Sequence, residues 1–110
     1  MKRAILVGLL AAAGMPAQTP NAANGKRLFE VKACYECHGW RGQGGLNGPR
    51  LAQTKLNLQG FRTLLRNPPP SNMPPYRAAV LSDQEVADLF AYIQSFPAPE
   101  PVDKIPQLKN

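Results

Sequence analysis

The stretch that decides the fold of this chain is Cys34-Tyr35-Glu36-Cys37-His38. Two cysteines three positions apart lie on one turn of a helix, so both thiols can bond to vinyl groups of the same porphyrin. A histidine directly after the second cysteine can direct an imidazole nitrogen at the porphyrin iron. The spacing therefore predicts one haem c attached through Cys34 and Cys37, with His38 as an axial ligand of the iron.

Three other uses of paired cysteines fit this sequence less well. A thioredoxin-type redox pair follows a strand of a parallel sheet, and no strand pattern precedes Cys34. A structural zinc site needs four ligands, whereas the chain holds two cysteines and one histidine. A disulfide between Cys34 and Cys37 would close a very short loop and would leave His38 unexplained.

The length and composition also indicate a cofactor-filled domain. The chain has 110 residues, with 12 prolines, 9 glycines, one Trp, three Tyr and four Phe. This length allows one small domain, and a domain this small and rich in loops buries little apolar surface by itself. We therefore expect a bulky apolar group to complete the core.

Short helices joined by loops are predicted along most of the chain. Asn21 is a plausible N-cap for a helix that reaches about Lys32. A second short helix is predicted over residues 61–66, where three prolines at 68–70 stop it. Residues 39–60 are rich in glycine and lack the alternation of strands. The predicted fold class is all-α.

The clearest helix comes last. Ser82 and Glu85 form a capping box at its start. Apolar residues then recur at helical spacing and give one amphipathic stripe, formed by Val86, Leu89, Phe90 and Ile93. Pro97 ends the helix. The proline-rich segment that follows, residues 97–110, is predicted to be an extended or disordered tail.

Met73 is the candidate for the second axial ligand. No second histidine is present, and Met1 and Met15 belong to the leader described next, so Met73 is the one thioether left in the domain. A lone methionine is more often core filler. Here it lies between two proline breaks, at 68–70 and 74–75, which stiffen its loop. We therefore expect Met73 to bind the iron opposite His38.

The first 17 residues predict a secretory signal peptide. Lys2 and Arg3 form a positive start, residues 4–13 are apolar, and small residues suitable for cleavage occur between positions 13 and 17. An uncleaved membrane tether is the alternative, but the apolar stretch is shorter than a bilayer requires, and no stable transmembrane span is expected. The interpretation is export to the periplasm, with a haem domain over residues 18–96.

The net charge of +6 bears on the partners. Without Lys2 and Arg3, 11 basic residues face 7 acidic ones, and the basic residues are scattered. This pattern is typical of a solvated surface or of a mildly positive face for an acidic protein. Nucleic acid is a poor candidate partner, because no aromatic residues alternate with the basic ones.

The sequence resembles the small bacterial class I cytochromes c. The resemblance rests on three motifs and covers about Asn21–Phe96: the haem motif at 34–38, Gly-Pro-Arg-Leu at 48–51, and Met-Pro-Pro-Tyr at 73–76. It implies three to four short helices wrapped around one covalent haem. It also implies that Gly25 and Phe29 of the first helix pack against Leu89 and Tyr92 of the last.

The resemblance further implies roles around the haem. The Pro49 carbonyl should accept a hydrogen bond from His38 and orient its ring, and Leu51 should press on the haem face. The loop from His38 to Met73 is shorter than in mitochondrial members, so contacts to the haem propionates are not carried over. Trp40, Arg50 and Tyr76 are weaker candidates for the propionate side.

The predicted function is electron transfer by a single haem with His/Met ligation that cycles between Fe(II) and Fe(III). We expect no catalysis by the chain itself. The protein would act as a periplasmic carrier or as the cytochrome subunit of a dehydrogenase, and its partners would be redox proteins such as a dehydrogenase, a membrane oxidoreductase or a terminal oxidase. The alternative is a haem peroxidase or gas sensor in which Met73 detaches.

Overall fold

The computed structural model describes residues 4–5, 8 and 18–109. The elements of this part of the chain are four α-helices and two single 3-10 turns: α1 Ala22–Val31, α2 Cys34–His38, α3 Leu58–Arg66, α4 Asp83–Gln94, and the turns Val102–Lys104 and Pro106–Leu108. Within these described ranges there is no strand, only an isolated bridge between Gly45 and Gly48. The all-α prediction is confirmed.

Local capping sets the helix starts. The Asn21 side chain accepts a hydrogen bond from the Asn24 N–H at 3.1 Å, which begins α1 as predicted. The capping box of α4 is present, with both bonds between Ser82 and Glu85 formed. The α3 helix begins earlier than predicted, because the Asn57 side chain caps it by accepting from the Gly60 N–H at 2.8 Å.

The centre of the fold is the crossing of α1 over α4. A Cβ at Gly25 would stand 2.0 Å from the Asp88 carbonyl oxygen, so only glycine lets the two backbones come this close. Phe29 is fully buried, and its ring meets Tyr92 edge to face at 5.5 Å between centroids. The packing of α1 on α4 that the resemblance implies is therefore observed.

Asp88 is a buried carboxylate at the same crossing. It accepts hydrogen bonds from the Asn21 N–H at 2.7 Å, from the Asn24 amide at 2.9 Å and from the Gln84 amide at 3.0 Å. Burial by itself raises the pKa of the Asp88 carboxyl, but these three bonds favour the charged form and hold its pKa below the ordinary value. Asp88 thus ties the start of α1 to the middle of α4.

Two segments lie outside the helical domain: the tail after Pro97 and the predicted signal segment. The tail after Pro97, predicted to be extended or disordered, contains two 3-10 turns, and its Val102 and Leu108 side chains are exposed. The predicted signal segment, residues 1–17, lies outside the described residues except for 4–5 and 8. None of the helices in the described ranges is long and apolar enough to cross a bilayer.

Candidate haem site

A cavity of about 480 Å³ lies between α2, α3 and the segments 47–51 and 69–76. Cofactor pockets typically span ~300–1,000 Å³, so the size is suitable for a large flat ligand that projects partly into solvent. Four side chains with haem-binding chemistry line this one cavity: Cys34, Cys37, His38 and Met73. The structure therefore brings together, from two distant parts of the chain, the residues that the sequence singled out.

The two thiols lie on the single turn of α2. Both cysteines are free, with Cys34 half-buried and Cys37 exposed. Burial raises the pKa of the Cys34 thiol to about 11. A redox-active dithiol needs a lowered pKa, so this environment does not favour the thioredoxin-type alternative.

His38 is buried, at 8% exposure, and a hydrogen bond to the segment 47–51 holds its ring. Its Nδ1 lies 2.7 Å from the Pro49 carbonyl oxygen, the contact that the resemblance implies. Because a carbonyl can only accept, Nδ1 carries the proton and Nε2 keeps its lone pair for a metal. The hydrogen bond thus fixes both the tautomer and the ring orientation that an iron ligand requires.

Gly48 belongs to the Gly-Pro-Arg-Leu motif, but no contact was predicted for it. A Cβ at this position would stand 2.9 Å from both Cε1 and Nδ1 of His38 and 2.9 Å from the Cys37 carbonyl oxygen. The imidazole therefore packs directly on the backbone of the segment that carries Pro49. A glycine immediately before the proline is the sequence signal that could have indicated this contact.

Met73 is half-buried and lines the same cavity as His38. Its N–H donates to the Ser71 hydroxyl at 3.2 Å. The residues around it are mostly proline, as the sequence indicated, so the backbone near the thioether has few accessible conformations. A sulfur held by such a segment loses little entropy when it binds a metal.

The weaker candidates separate into two groups. Arg50 and Tyr76 line the cavity, as does Leu51, which was expected at the haem face, and burial raises the pKa of the Tyr76 hydroxyl. Trp40 does not line it: its ring is 58% exposed and stacks on Tyr35 with centroids 3.7 Å apart. The placement of Trp40 therefore does not support the propionate contact predicted for it.

The apolar part of the lining comes from helices whose role at the site was not predicted. Phe61 and Leu65 of α3 and Ile93 of α4 are buried core residues that also face the cavity. Ile93 belongs to the stripe found in the sequence, but that stripe alone does not distinguish core from cofactor contact. These side chains make the inner part of the cavity apolar, which suits a porphyrin ring. Together with the two thiols, the imidazole and the thioether, they fit haem c.

Comparison with known proteins points to the same group. A family model described as "Cytochrome C oxidase, cbb3-type, subunit III" matches residues 20–93. The chain is 37% identical over 98 residues to "Cytochrome c4" of Thiocapsa roseopersicina, a match that covers 70% of this chain and 51% of that protein. It is 30% identical over 95 residues to "Cytochrome c-555" of Methylococcus capsulatus (strain Bath), covering 83% and 76% respectively. No solved structure matches the chain.

The chain spans about half the length of that cytochrome c4, but more than three quarters of the cytochrome c-555. The family match covers α1 to α4 almost completely and includes the cavity with its four donor side chains. The chain therefore belongs to the cytochrome c family that this model describes: it is a small monohaem class I c-type cytochrome with covalently bound haem c as its cofactor.

Proposed function

We propose that this cytochrome is an electron carrier, not an enzyme, with His38 and Met73 as the axial ligands of a haem attached at Cys34 and Cys37. The observation that supports the proposal is the position of all four side chains on one cavity. When bound, the haem supplies a one-electron Fe(II)/Fe(III) couple. The chain's own residues decide how that couple is held and tuned.

The two axial residues have complementary properties. His38 keeps its Nε2 lone pair available because Nδ1–H is committed to Pro49. A thioether opposite an imidazole favours the reduced iron and raises the reduction potential. Since His38 is fixed by its hydrogen bond and Met73 by the prolines near it, both ligands stay in place when the charge on the metal changes. Little rearrangement then accompanies each transfer.

The lining residues exclude water from the site. Phe61, Leu65 and Ile93 have exposures of 6%, 4% and 2%, so the inner part of the cavity is dry. A dry apolar environment disfavours the additional positive charge of oxidised iron and raises the potential further.

The mouth of the cavity offers a docking surface for a redox partner. Leu56 and Leu64, which are 40% and 37% exposed, line this cavity, and so does the exposed Cys37. Lys32 and Arg50 line the same cavity. An apolar centre with basic neighbours suits a redox protein with an acidic face, such as a dehydrogenase, a membrane oxidoreductase or a terminal oxidase.

The domain boundaries and the location belong to the same proposal. Residues 1–17 act as a signal that is cleaved between positions 13 and 17, the haem domain occupies 18–96, and residues 97–110 follow as a tail. The mature carrier works in the periplasm, where haem is attached to exported chains. Mass spectrometry of the protein from a periplasmic fraction gives its N-terminus, and an intact Met1 in a membrane fraction would indicate a tether instead.

The test of the ligand assignment is Met73→Ala. The wild type should be six-coordinate in both oxidation states and should bind carbon monoxide only very slowly at neutral pH, with no binding on the ordinary laboratory timescale. The variant should keep its covalent haem, bind carbon monoxide and have a lower reduction potential, because an axial site has opened. Absorption spectra of the reduced proteins with and without carbon monoxide measure this.

Val80→Ala is the matched control. Val80 follows Met73 on the same segment, is 51% exposed and does not line the cavity. This variant should behave as wild type. Ready carbon monoxide binding by the wild type, or an unchanged spectrum of Met73→Ala, would show that Met73 is not the ligand and would favour a peroxidase or gas sensor.

A further inference from the structure

We propose that Arg66 is a positioning residue that holds Met73 in place over the cavity. The segment concerned is the Met73 loop, defined as residues 67–81, which joins α3 to α4. The inference rests on the proposed function, because it concerns how the proposed ligand Met73 is kept at the iron.

Arg66 contacts the Met73 loop at two places, Tyr76 and Leu81. Arg66 is the last residue of α3, and its side chain is 18% exposed. Its Nη1 donates to the Tyr76 carbonyl at 2.9 Å and to the Leu81 carbonyl at 2.7 Å, and its Nη2 donates to the Asp83 carboxylate at 2.8 Å. One guanidinium thus joins α3, the Met73 loop and the first residue of α4.

Few other hydrogen bonds hold the Met73 loop. The Asn67 N–H donates to the Thr63 carbonyl at 2.9 Å where the loop leaves α3. The loop next meets α3 at Tyr76, whose N–H donates to the Leu65 carbonyl at 2.8 Å. Between these two points, in the described structure, residues 68–75 show only the local bond from Met73 to Ser71. The position of Met73 therefore depends on the anchor at Tyr76.

The prolines next to Met73 link the position of its sulfur to the position of Tyr76. Residues 68–70 and 74–75 are all proline, so the backbone on both sides of Met73 has restricted φ angles. Pro74 and Pro75 are the only residues between Met73 and Tyr76. A displacement of Tyr76 is transmitted through this stiff pair to Met73, whereas a flexible linker would absorb it.

The chemistry of arginine suits this task. Its planar guanidinium presents several donors in fixed directions, so it can serve two carbonyls and a carboxylate simultaneously. A lysine has a single nitrogen and cannot reproduce that arrangement. Removing the guanidinium leaves the Tyr76 and Leu81 carbonyls without their charged donor, so that the backbone bond from Tyr76 to Leu65 is the hydrogen bond that still ties this half of the loop to α3.

Arg62 provides a matched control on the same helix. It lies one turn before Arg66, and its Nε is 3.5 Å from the same Asp83 oxygen, but it donates to neither loop carbonyl. Arg62→Gln and Arg66→Gln each remove one positive charge next to Asp83. Only Arg66→Gln removes the bonds to Tyr76 and Leu81.

The experiment measures carbon monoxide binding to the reduced holoprotein at a temperature well below unfolding. Arg66→Gln should bind carbon monoxide at least tenfold faster than wild type, Arg66→Lys should be intermediate, and Arg62→Gln should stay within twofold of wild type. A purely structural role for Arg66 would lower the thermal midpoint without changing this rate. Equal rates for the two glutamine variants would overturn the proposal.

Met73→Ala is measured in the same series to separate the two proposals. If Met73→Ala binds carbon monoxide rapidly and Arg66→Gln does not, Met73 is the ligand but Arg66 does not position it. If wild type and Met73→Ala behave alike, the ligand assignment itself has failed. Should Arg66→Gln not accumulate as a holoprotein, the ratio of the Arg66→Lys and Arg62→Lys rates decides, and a ratio of one overturns the proposal.

Discussion

The cavity has a His38 side, residues 34–51, and a Met73 side, the Met73 loop, and their neighbours differ in kind. On the His38 side, hydrogen bonds between backbone groups hold the chain: the Gly44 N–H donates to the His38 carbonyl at 2.8 Å, and the Leu51 N–H donates to the Gly42 carbonyl at 2.8 Å. On the Met73 side, one guanidinium, a single backbone bond from Tyr76 to α3 and a run of prolines hold the chain.

This difference indicates how each side responds to mutation. A backbone network tolerates most side-chain changes but fails where a new Cβ would enter it. A loop that depends on one guanidinium fails when that single side chain is replaced. Three variants at different positions test this difference between the two sides.

The largest effect is expected for the double variant Cys34→Ser/Cys37→Ser, which removes covalent attachment on the His38 side. The domain has a small core of its own, so loss of the porphyrin should abolish folding. Circular dichroism should show helix content well below that of the holoprotein, and acid-acetone should extract any haem still present. Glu36→Gln, in the same turn, is the control. Native helix content without haem would show that the protein's own core is sufficient and that the His38 side forms independently.

A smaller effect is expected for Gly48→Ala. The added Cβ would stand 2.9 Å from two atoms of the His38 ring and from the Cys37 carbonyl, so the ring or the segment must move. Overpacking of this kind costs about 1–3 kcal/mol. Denaturant unfolding of the holoprotein measures that cost. Gly45→Ala is the control on the same loop, because a Cβ there meets nothing within 4 Å. Equal stability of the two variants would mean that the His38 side can shift to accommodate the added Cβ as easily as a flexible loop does.

A loss of about the same size is expected for Asp88→Asn, and it should affect both sides equally, because α1 leads to the His38 side and α4 follows the Met73 loop. Hydrogen bonds to a charged group contribute roughly 1.5–3 kcal/mol, so the variant should lose about 2 kcal/mol at neutral pH. Because the pKa of Asp88 is lower in the folded than in the unfolded protein, its contribution is complete above the unfolded value of about 3.9 and is lost as the pH falls through the folded value.

The wild type should therefore lose more stability than Asp88→Asn between pH 5 and pH 3, and unfolding free energies at the two pH values test this. Asp103→Asn is a suitable control, since Asp103 is an exposed acid of the tail. Parallel pH profiles of wild type and Asp88→Asn would show that the carboxylate does not stabilise the crossing.

The elements that could be predicted are those whose signals are local. Asn21, Ser82 and Glu85 act on backbone groups within three residues, so the starts of α1 and α4 follow from the sequence. The same kind of signal at Asn57 was not recognised, and the predicted start of α3 was therefore late. The haem motif is local as well, and its two thiols and imidazole face one cavity as expected.

The elements that could not be predicted depend on contacts between distant residues. Arg66 and Asp88 look like ordinary surface charges in the sequence, yet each is held by backbone groups from another part of the fold. Trp40 shows the opposite difference, because it was predicted at the propionate side but does not line the cavity. The chain turns at Gly39, whose φ is +81°, and the indole then stacks on Tyr35 outside the cavity.

The stacked indole has a spectroscopic consequence. Trp40 is the only tryptophan of the chain, and it lies three residues after Cys37. Even a fully extended chain keeps residues three apart within about 11 Å, so a haem attached at Cys37 stays close enough to quench the indole by energy transfer whether the protein is folded or not. Tryptophan emission of this cytochrome is therefore a gauge of haem loading and not of unfolding. Bright emission in a preparation indicates chains that never received the cofactor.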